Sequence, residues 1–312
     1  MRILVTGGCG YIGSVLIPRL LDNKHKVLSV DNQLFGNFLP KHKNLKNIKL
    51  NISKIKDNHL KKIDTVIHLA SISNDPAALI NSKITWETNV LYTLKLLQLC
   101  KKNNIKKFIF ASSGSVYGVS KKKIVDENSS LIPISDYNKT KMVGEKLVQG
   151  YKSFFDAIIL RPGTVCGFSK SLRLDLTVNA MTYTALKDKV INVNGGNQVR
   201  PHIHMDDMIN AYLFFLNKKS VGGIYNVGFG NYSVMEIAKM INKRLPTIPI
   251  KKNKSIDPRS YRLYSKKILK TGFRPTKSIQ VAIDEFIENY RFKKIPYDQK
   301  SFRASYLKKI IS

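Results

Sequence analysis

A short apolar-rich run, Arg2 to Thr6, leads straight into Gly-Gly-Cys-Gly-Tyr-Ile-Gly, and an amphipathic stretch from Ile12 to Asn23 follows at once. No other feature constrains the chain so strongly. Gly7, Gly10 and Gly13 stand in GxxGxxG spacing between an expected strand and an expected helix. In that context the glycines permit a tight turn, close approach of a pyrophosphate and packing of helix on strand. The start of the helix adds free N–H groups and the positive end of its dipole, both favourable to phosphate.

The rest of the first half keeps that rhythm. Further strands are expected at Lys26 to Val30, Ile48 to Leu50, Thr65 to Leu69, Phe108 to Ala111 and Ala157 to Arg161, with helices at Glu87 to Asn103 and Ser135 to Tyr151. In the first of those two helices Val90, Leu91, Leu94, Leu97 and Leu99 recur at helical spacing. Short apolar strands alternating with amphipathic helices predict an α/β fold, a doubly wound parallel sheet of Rossmann type covered on both faces. After Arg161 the loops lengthen and Pro and Gly punctuate them. Residues 203–227 read as a return to the sheet, with a helix at Met208 to Leu216 and a strand at Ile224 to Val227. The expected division is a dinucleotide-binding domain, 1–161, rejoined by 203–227, and a smaller discontinuous substrate lobe from 162–202 and 228–312.

Asp31 closes the second strand, 18 residues after Gly13, where a carboxylate can accept hydrogen bonds from both hydroxyls of the adenosine ribose. Asn32, Gln33 and Leu34 bring no cation for a 2′-phosphate, so the expected cofactor is NAD and not NADP. The competing reading of Asp31 is an ordinary turn-forming residue at a strand end.

Tyr137 and Lys141 form a YxxxK pair on one helical face. Spacing alone does not choose them, because it recurs at Tyr117 with Lys121, Tyr183 with Lys187 and Tyr290 with Lys294. Position does: Tyr137 follows the Phe108 to Ala111 strand and the small-residue run Ser112-Ser113-Gly114-Ser115-Val116-Tyr117-Gly118, and opens the next helix. Strand ends in such sheets face the ligand crevice. A free tyrosine has a pKa of about 10 and is a poor base at neutral pH, so a neighbouring cation such as Lys141 or the nicotinamide ring is needed to favour its phenolate. Tyr137 could then take the proton of a sugar hydroxyl while hydride leaves the same carbon, with Ser113 holding that oxygen.

Net charge is +32, yet only 11 of the 53 basic residues are Arg, and the Lys are scattered among every element. Nucleic-acid readers rely on Arg forks and stacked aromatics, and no segment combines them. A general positive field would attract a nucleotide diphosphate, and no specific nucleic-acid partner is expected. Cys9, Cys100 and Cys166 lack metal-ligand spacing, so reduced thiols and no metal site are expected. Neither a signal segment nor a membrane span can be read before or after MRILVTGG, which leads us to expect a cytoplasmic protein without integral membrane association.

The motifs VTGGCGYIG, VDN, VIHLA, ETNV, FASSGSVYG, YNKTK, LRPG and RPHIHMDD come in the order and spacing of a known family. By them the chain resembles the NAD-dependent epimerase/dehydratase branch of the extended short-chain dehydrogenase/reductase family, the group that holds UDP-glucose and UDP-galactose 4-epimerases. The resemblance implies NAD contacts at Gly7, Gly10, Tyr11, Ile12, Gly13, Asp31, Asn32, Ile52, Leu69, Ala70, Ser71, Asn89, Tyr137, Lys141 and Pro162. It implies catalysis by Ser113, Tyr137 and Lys141. A nucleotide-diphosphate sugar would meet Ser113, Thr164, Asn179, Arg200 and Arg259, the two arginines as charge-assisted donors to the diphosphate. His202 and His204 read as structural. A homodimer is implied as well, built on the helices Glu87 to Asn103 and Ser135 to Tyr151 and their symmetry mates.

Departures from the pattern narrow the activity. Sugar 4,6-dehydratases of this family carry an Asp-Glu pair after the catalytic Ser or Thr, and Gly114 and Ser115 stand there. Galactose epimerases usually have a Lys shortly after the HxA motif, where this chain has Ser73, Asn74, Asp75 and Pro76. Asn51 replaces a usual Asp near adenine. The expected function is a nucleotide-sugar epimerase that borrows and returns a hydride through tightly held NAD. An NAD-linked sugar dehydrogenase or keto-sugar reductase is the alternative enzyme, and a non-catalytic Rossmann binding protein using the basic surface is the alternative outside enzymes.

Overall fold

The computed structural model describes residues 1–120, 122, 124–254, 260–295 and 298–311. Seven strands form one parallel sheet in the spatial order Gly223–Val227, Asp156–Pro162, Lys107–Ala111, Thr65–His68, Arg2–Thr6, Lys26–Asp31, Leu45–Lys49. Arg2–Thr6 pairs with Lys26–Asp31 on one side and with Thr65–His68 on the other. The chain therefore builds outward in one direction, returns, and builds in the opposite one. Beyond the carboxyl ends of those strands such a reversal leaves a crevice.

Strand interiors are apolar because helices cover both faces. Ile3, Val5, Ile67 and Ile109 point into one core with Leu16, Ile17 and Leu20 of the helix Gly13–Asp22 and Met208, Tyr212 and Phe215 of the helix Met205–Asn217. Leu4, Val66, Phe108 and Phe110 point the other way, onto Leu96 and Leu97 of the helix Tyr92–Lys102 and Val148 of the helix Asp136–Gly150. The alternation along each strand is the period-two geometry of a pleated chain. Ser135 starts the Tyr137 helix, its hydroxyl accepting from Asn138 N at 3.2 Å.

A second core gathers Val178, Met181 and Leu186 of the helix Thr177–Asp188, Ile237 and Ile241 of the helix Val234–Arg244, and Ile283 and Phe286 of the helix Ile279–Arg291. Between the cores lies a small sheet, Gly230–Ser233, Val199–His204 and Thr164–Cys166. Burial pushes the pKa of His202 down to about 4, and its Nδ1 bonds to Arg200 O at 2.9 Å. His204 Nδ1 caps its helix by accepting from Asp206 N, and Nε2 meets Glu285 at 3.1 Å.

Two expected elements differ. The third strand runs Leu45–Lys49 instead of Ile48 to Leu50; it is the sheet's outer strand and half-buried, so an apolar run does not mark its bounds. The helix expected over Glu87 to Asn103 starts as a π-turn, Glu87–Leu91, before Tyr92–Lys102. Asn89 sits in that turn, accepting from Ile72 N at 2.8 Å and donating to Ile72 O and Thr140 Oγ1 at 3.0 Å each. Such bulges often mark functional sites.

Candidate active site

A cavity of about 600 Å³ opens where the sheet reverses. Its floor is the glycine loop. Gly7 has φ +74°, and a Cβ there would lie 2.7 Å from Ala70 N; at Gly13 one would lie 2.5 Å from Gly7 O. Side chains are excluded by backbone on the strand side, which keeps the N–H groups of the helix start open to a ligand. Asp31 holds this loop, accepting from Cys9 N at 3.0 Å and Gln33 N at 2.6 Å. Burial raises its pKa, against the pull of those two N–H groups and of Arg303.

Gly7, Gly10, Tyr11, Ile12, Gly13, Asp31, Asn32, Ile52, Leu69, Ala70, Ser71 and Pro162 all line this cavity, as do Ser113, Tyr137, Lys141, Thr164 and Arg200. Two expected residues do not. Asn89 is 2% exposed and its amide is committed to Ile72 and Thr140, so it shapes the wall at Ile72 from behind. Asn179 is 1% exposed, donating to Tyr11 Oη at 3.1 Å and Arg173 O at 3.0 Å and accepting from Gly167 N. Its amide pins Tyr11 and the Gly167 loop. Arg259 lies outside the described residues.

The three other YxxxK tyrosines are absent from the cavity wall among the described residues. Tyr117 is fully buried, its hydroxyl accepting from Arg161 Nη1 and donating to Asn226 Oδ1, both at 2.8 Å. Tyr183 and Tyr290 pack edge to face in the second core. Lys121 lies outside the described residues.

Ser113 follows the strand Lys107–Ala111 by two residues and caps the 3₁₀ turn Gly114–Tyr117, and its Oγ lies 2.8 Å from Ser115 Oγ. Lys141 is buried, donates from Nζ to Ala111 O at 2.8 Å and stands 5.9 Å from the Tyr137 ring centroid. Burial pushes the Lys141 pKa down to about 7, against the upward pull of Glu145. Burial also raises the pKa of Tyr137, and the groups pulling it back are the Ser113 hydroxyl and Arg173. Asp75 adds to the rise.

Sequence reasoning missed Arg173, Tyr212, Tyr261 and Arg303, all on the cavity wall. Arg173 grips Asp175 with Nε and Nη2 at 2.9 and 3.0 Å and reaches Ser73 Oγ with Nη1 at 3.1 Å. It brings a cation to the Ser73 to Pro76 turn, which has none of its own. No local pattern announces it. A buried atom of Tyr212 (its hydroxyl) and one of Arg303 (Nη1) lack a hydrogen-bond partner among the described residues, an arrangement that fits a polar ligand supplying what the chain does not.

No group of three or more His, Cys, Asp or Glu side chains among the described residues could hold a metal. No described helix is long and apolar enough to cross a membrane.

Residues 3–228 match the NAD dependent epimerase/dehydratase family. The chain is similar to an uncharacterized UDP-glucose epimerase of Bacillus subtilis, 34% identical over 77% of this chain and 81% of that one. It is also similar to a dTDP-D-glucose 4,6-dehydratase of Dictyostelium discoideum, 31% identical over 77% of this chain and 61% of that one. Among solved structures, the UDP-glucuronic acid 4-epimerase of Bacillus cereus, in complex with UDP-glucuronic acid and NAD, superposes with a TM-score of 0.86. It is 29% identical, and 94% of this chain and 100% of that one are covered. The glycine cradle, the Asp31 carboxylate and the match over residues 3–228 agree: this chain belongs to the NAD dependent epimerase/dehydratase family.

Proposed function

We propose that the protein is an NAD-dependent nucleotide-sugar epimerase acting on a nucleoside-diphosphate sugar, with UDP the nucleotide named for several relatives. The observation that carries this reading is that Ser113, Tyr137 and Lys141 line the same cavity as the glycine loop and Asp31, while Gly114 and Ser115 leave no acid pair for dehydration. NAD, when bound, supplies the hydride acceptor and donor for the sugar carbon. Tyr137 takes the proton from the hydroxyl on that carbon and later gives it back. Ser113 donates a hydrogen bond to the same oxygen and fixes its position. Arg173 opposes the rise that burial imposes on Tyr137. Thr164 and Arg200, on the far wall, hold the sugar nucleotide, Arg200 as a charge-assisted donor to its diphosphate.

Two measurements test this. Mass spectrometry of what dissociates from the purified protein should find NAD, and a panel of UDP- and dTDP-sugars should give an epimer without accumulation of reduced cofactor. Net NADH formation with an oxidised sugar, or a deoxy-keto product, would replace the epimerase reading.

Asp31 carries a second prediction. Its carboxylate would face the extra phosphate of NADP with like charge, so NAD should bind the native protein more tightly. Asp31→Ala should shrink that preference roughly tenfold or more. An unchanged NAD-to-NADP ratio of dissociation constants in the variant would remove Asp31 from the ribose.

The homodimer belongs to this reading too. Leu91 is 55% exposed at the start of the Tyr92–Lys102 helix, an apolar residue available to a symmetry mate. Sedimentation at micromolar concentration should give twice the chain mass, and a monomer would retire the claim.

A further inference from the structure

We propose that the C-terminal helix Arg303–Ile311 is a strap across the cofactor cleft, and that Arg303 Nη1 is held there for a phosphate oxygen of the dinucleotide. The proposal rests on the dinucleotide site described above and extends it to residues beyond the span that matches the family, 3–228.

Four observations carry it. Arg303 is 4% exposed and lines the cavity together with Leu307, one helical turn on, and with Asp31, Leu34 and Phe35. Its Nη2 is used, donating to Ser171 Oγ at 2.8 Å and Ser171 O at 3.1 Å, and its guanidinium lies 3.9 Å from the centroid of the Phe35 ring. Nη1 is buried with no hydrogen-bond partner, and no carboxylate among the described residues lies within ion-pair distance of Arg303. The same helix touches both banks of the cleft. Tyr306 meets the Phe35 ring at 6.0 Å after the second strand, and the helix packs on the turn Asp75–Ala78 after the fourth. The first strand, with its glycine loop, lies between those two.

A buried guanidinium without a carboxylate at ion-pair distance is costly, and here Arg173 adds to the cost while Asp175, Asp298 and Asp31 act against it from beyond that distance. Burial and Arg173 together push the Arg303 pKa down to about 10. An anion between Arg303 and the glycine loop relieves both penalties, and a dinucleotide's pyrophosphate brings two negative charges to that spot. A cofactor so covered leaves slowly, which suits a reaction that regenerates it in every cycle.

The test uses full-length protein stripped of nucleotide, with calorimetric titration of NAD, NADP, ADP and adenosine into the native chain, Arg303→Met and Arg303→Lys. Met keeps the aliphatic stem on Phe35 and removes the charge. Expected is a tenfold or greater loss of affinity for NAD and for ADP in Arg303→Met, unchanged adenosine binding, partial recovery in Arg303→Lys, and faster release of NAD. Thermal unfolding of the nucleotide-free Arg303→Met chain should match or exceed the native one, since a lone buried cation is gone. The inference is overturned by NAD and ADP affinities within twofold of native, by an equal loss for adenosine, which would make Arg303 a packing residue, or by a loss confined to NADP, which would place the guanidinium at the 2′ position. Failure of the epimerase reading would leave these affinities untouched.

Discussion

Tyr137→Phe is expected to bind NAD normally, to melt at nearly the native temperature and to lose about 10²- to 10⁴-fold in turnover, the range for general acid–base assistance. The substitution removes one hydroxyl and keeps the ring. Tyr137 is half-buried, so the ring's packing is retained and the loss should sit in the chemical rate, with KM changed little. Lys141→Met should share the deficit and weaken NAD. Tyr117→Phe breaks the bonds to Arg161 and Asn226 and will lower stability, but at matched folding it should turn over. Tyr183→Phe and Tyr290→Phe, set in the second core, should do the same. Full turnover in Tyr137→Phe at normal cofactor occupancy would be decisive against this tyrosine.

The second large effect is on stability and comes from the wall behind the site. Glu145 lies one turn beyond Lys141 and accepts from Arg161 Nε at 2.9 Å and Nη2 at 2.7 Å, with side chains 2% and 3% exposed. Ser112 donates to the same carboxylate. Glu145→Gln would leave the Arg161 charge buried without its partner, and breaking such a pair typically destabilises by about 3–5 kcal/mol. For a chain of this size that corresponds to a fall of roughly 5–8 °C in Tm. Arg244 and Asp284 make an equally good two-pronged pair at 2.7 and 2.9 Å, but on the surface. Water and salt screen it, so Asp284→Asn should barely move Tm. Equal losses in the two variants would refute the argument from burial. Loss of Glu145 also removes the charge that holds the Lys141 pKa up. Lys141 would then shed its proton at lower pH, and any basic limb of the rate profile that depends on its ammonium should shift downward.

The folding class was legible because its signals are local. Glycine spacing after a strand, an acid at the end of the next strand, and alternation of apolar strands with amphipathic helices each operate within a few tens of residues, and the seven-stranded sheet answers to them. The outer strand Leu45–Lys49 was misplaced because a half-buried edge does not require an apolar run. The π-turn at Glu87–Leu91 was invisible because a helix and its bulge share the same apolar spacing.

Within the site the division is similar. By itself the sequence determined the nucleotide-binding turn, since Gly7 and Gly13 are dictated by backbone contacts that admit no Cβ, and it determined the candidate status of Tyr137 from its place in the strand order. Only the tertiary structure set Tyr137 on the cavity and removed Tyr117, Tyr183 and Tyr290 from it, because YxxxK spacing describes one helical face and says nothing of what that face meets. It also turned Asn179 and Asn89 inward to hold Tyr11 and Ile72, and brought Arg173 and Arg303 from distant segments to charge the cleft. Contacts across 100 residues or more, such as Arg173 with Ser73 and Arg303 with Ser171, follow from how sheet and helices pack, and no short pattern in the chain encodes them.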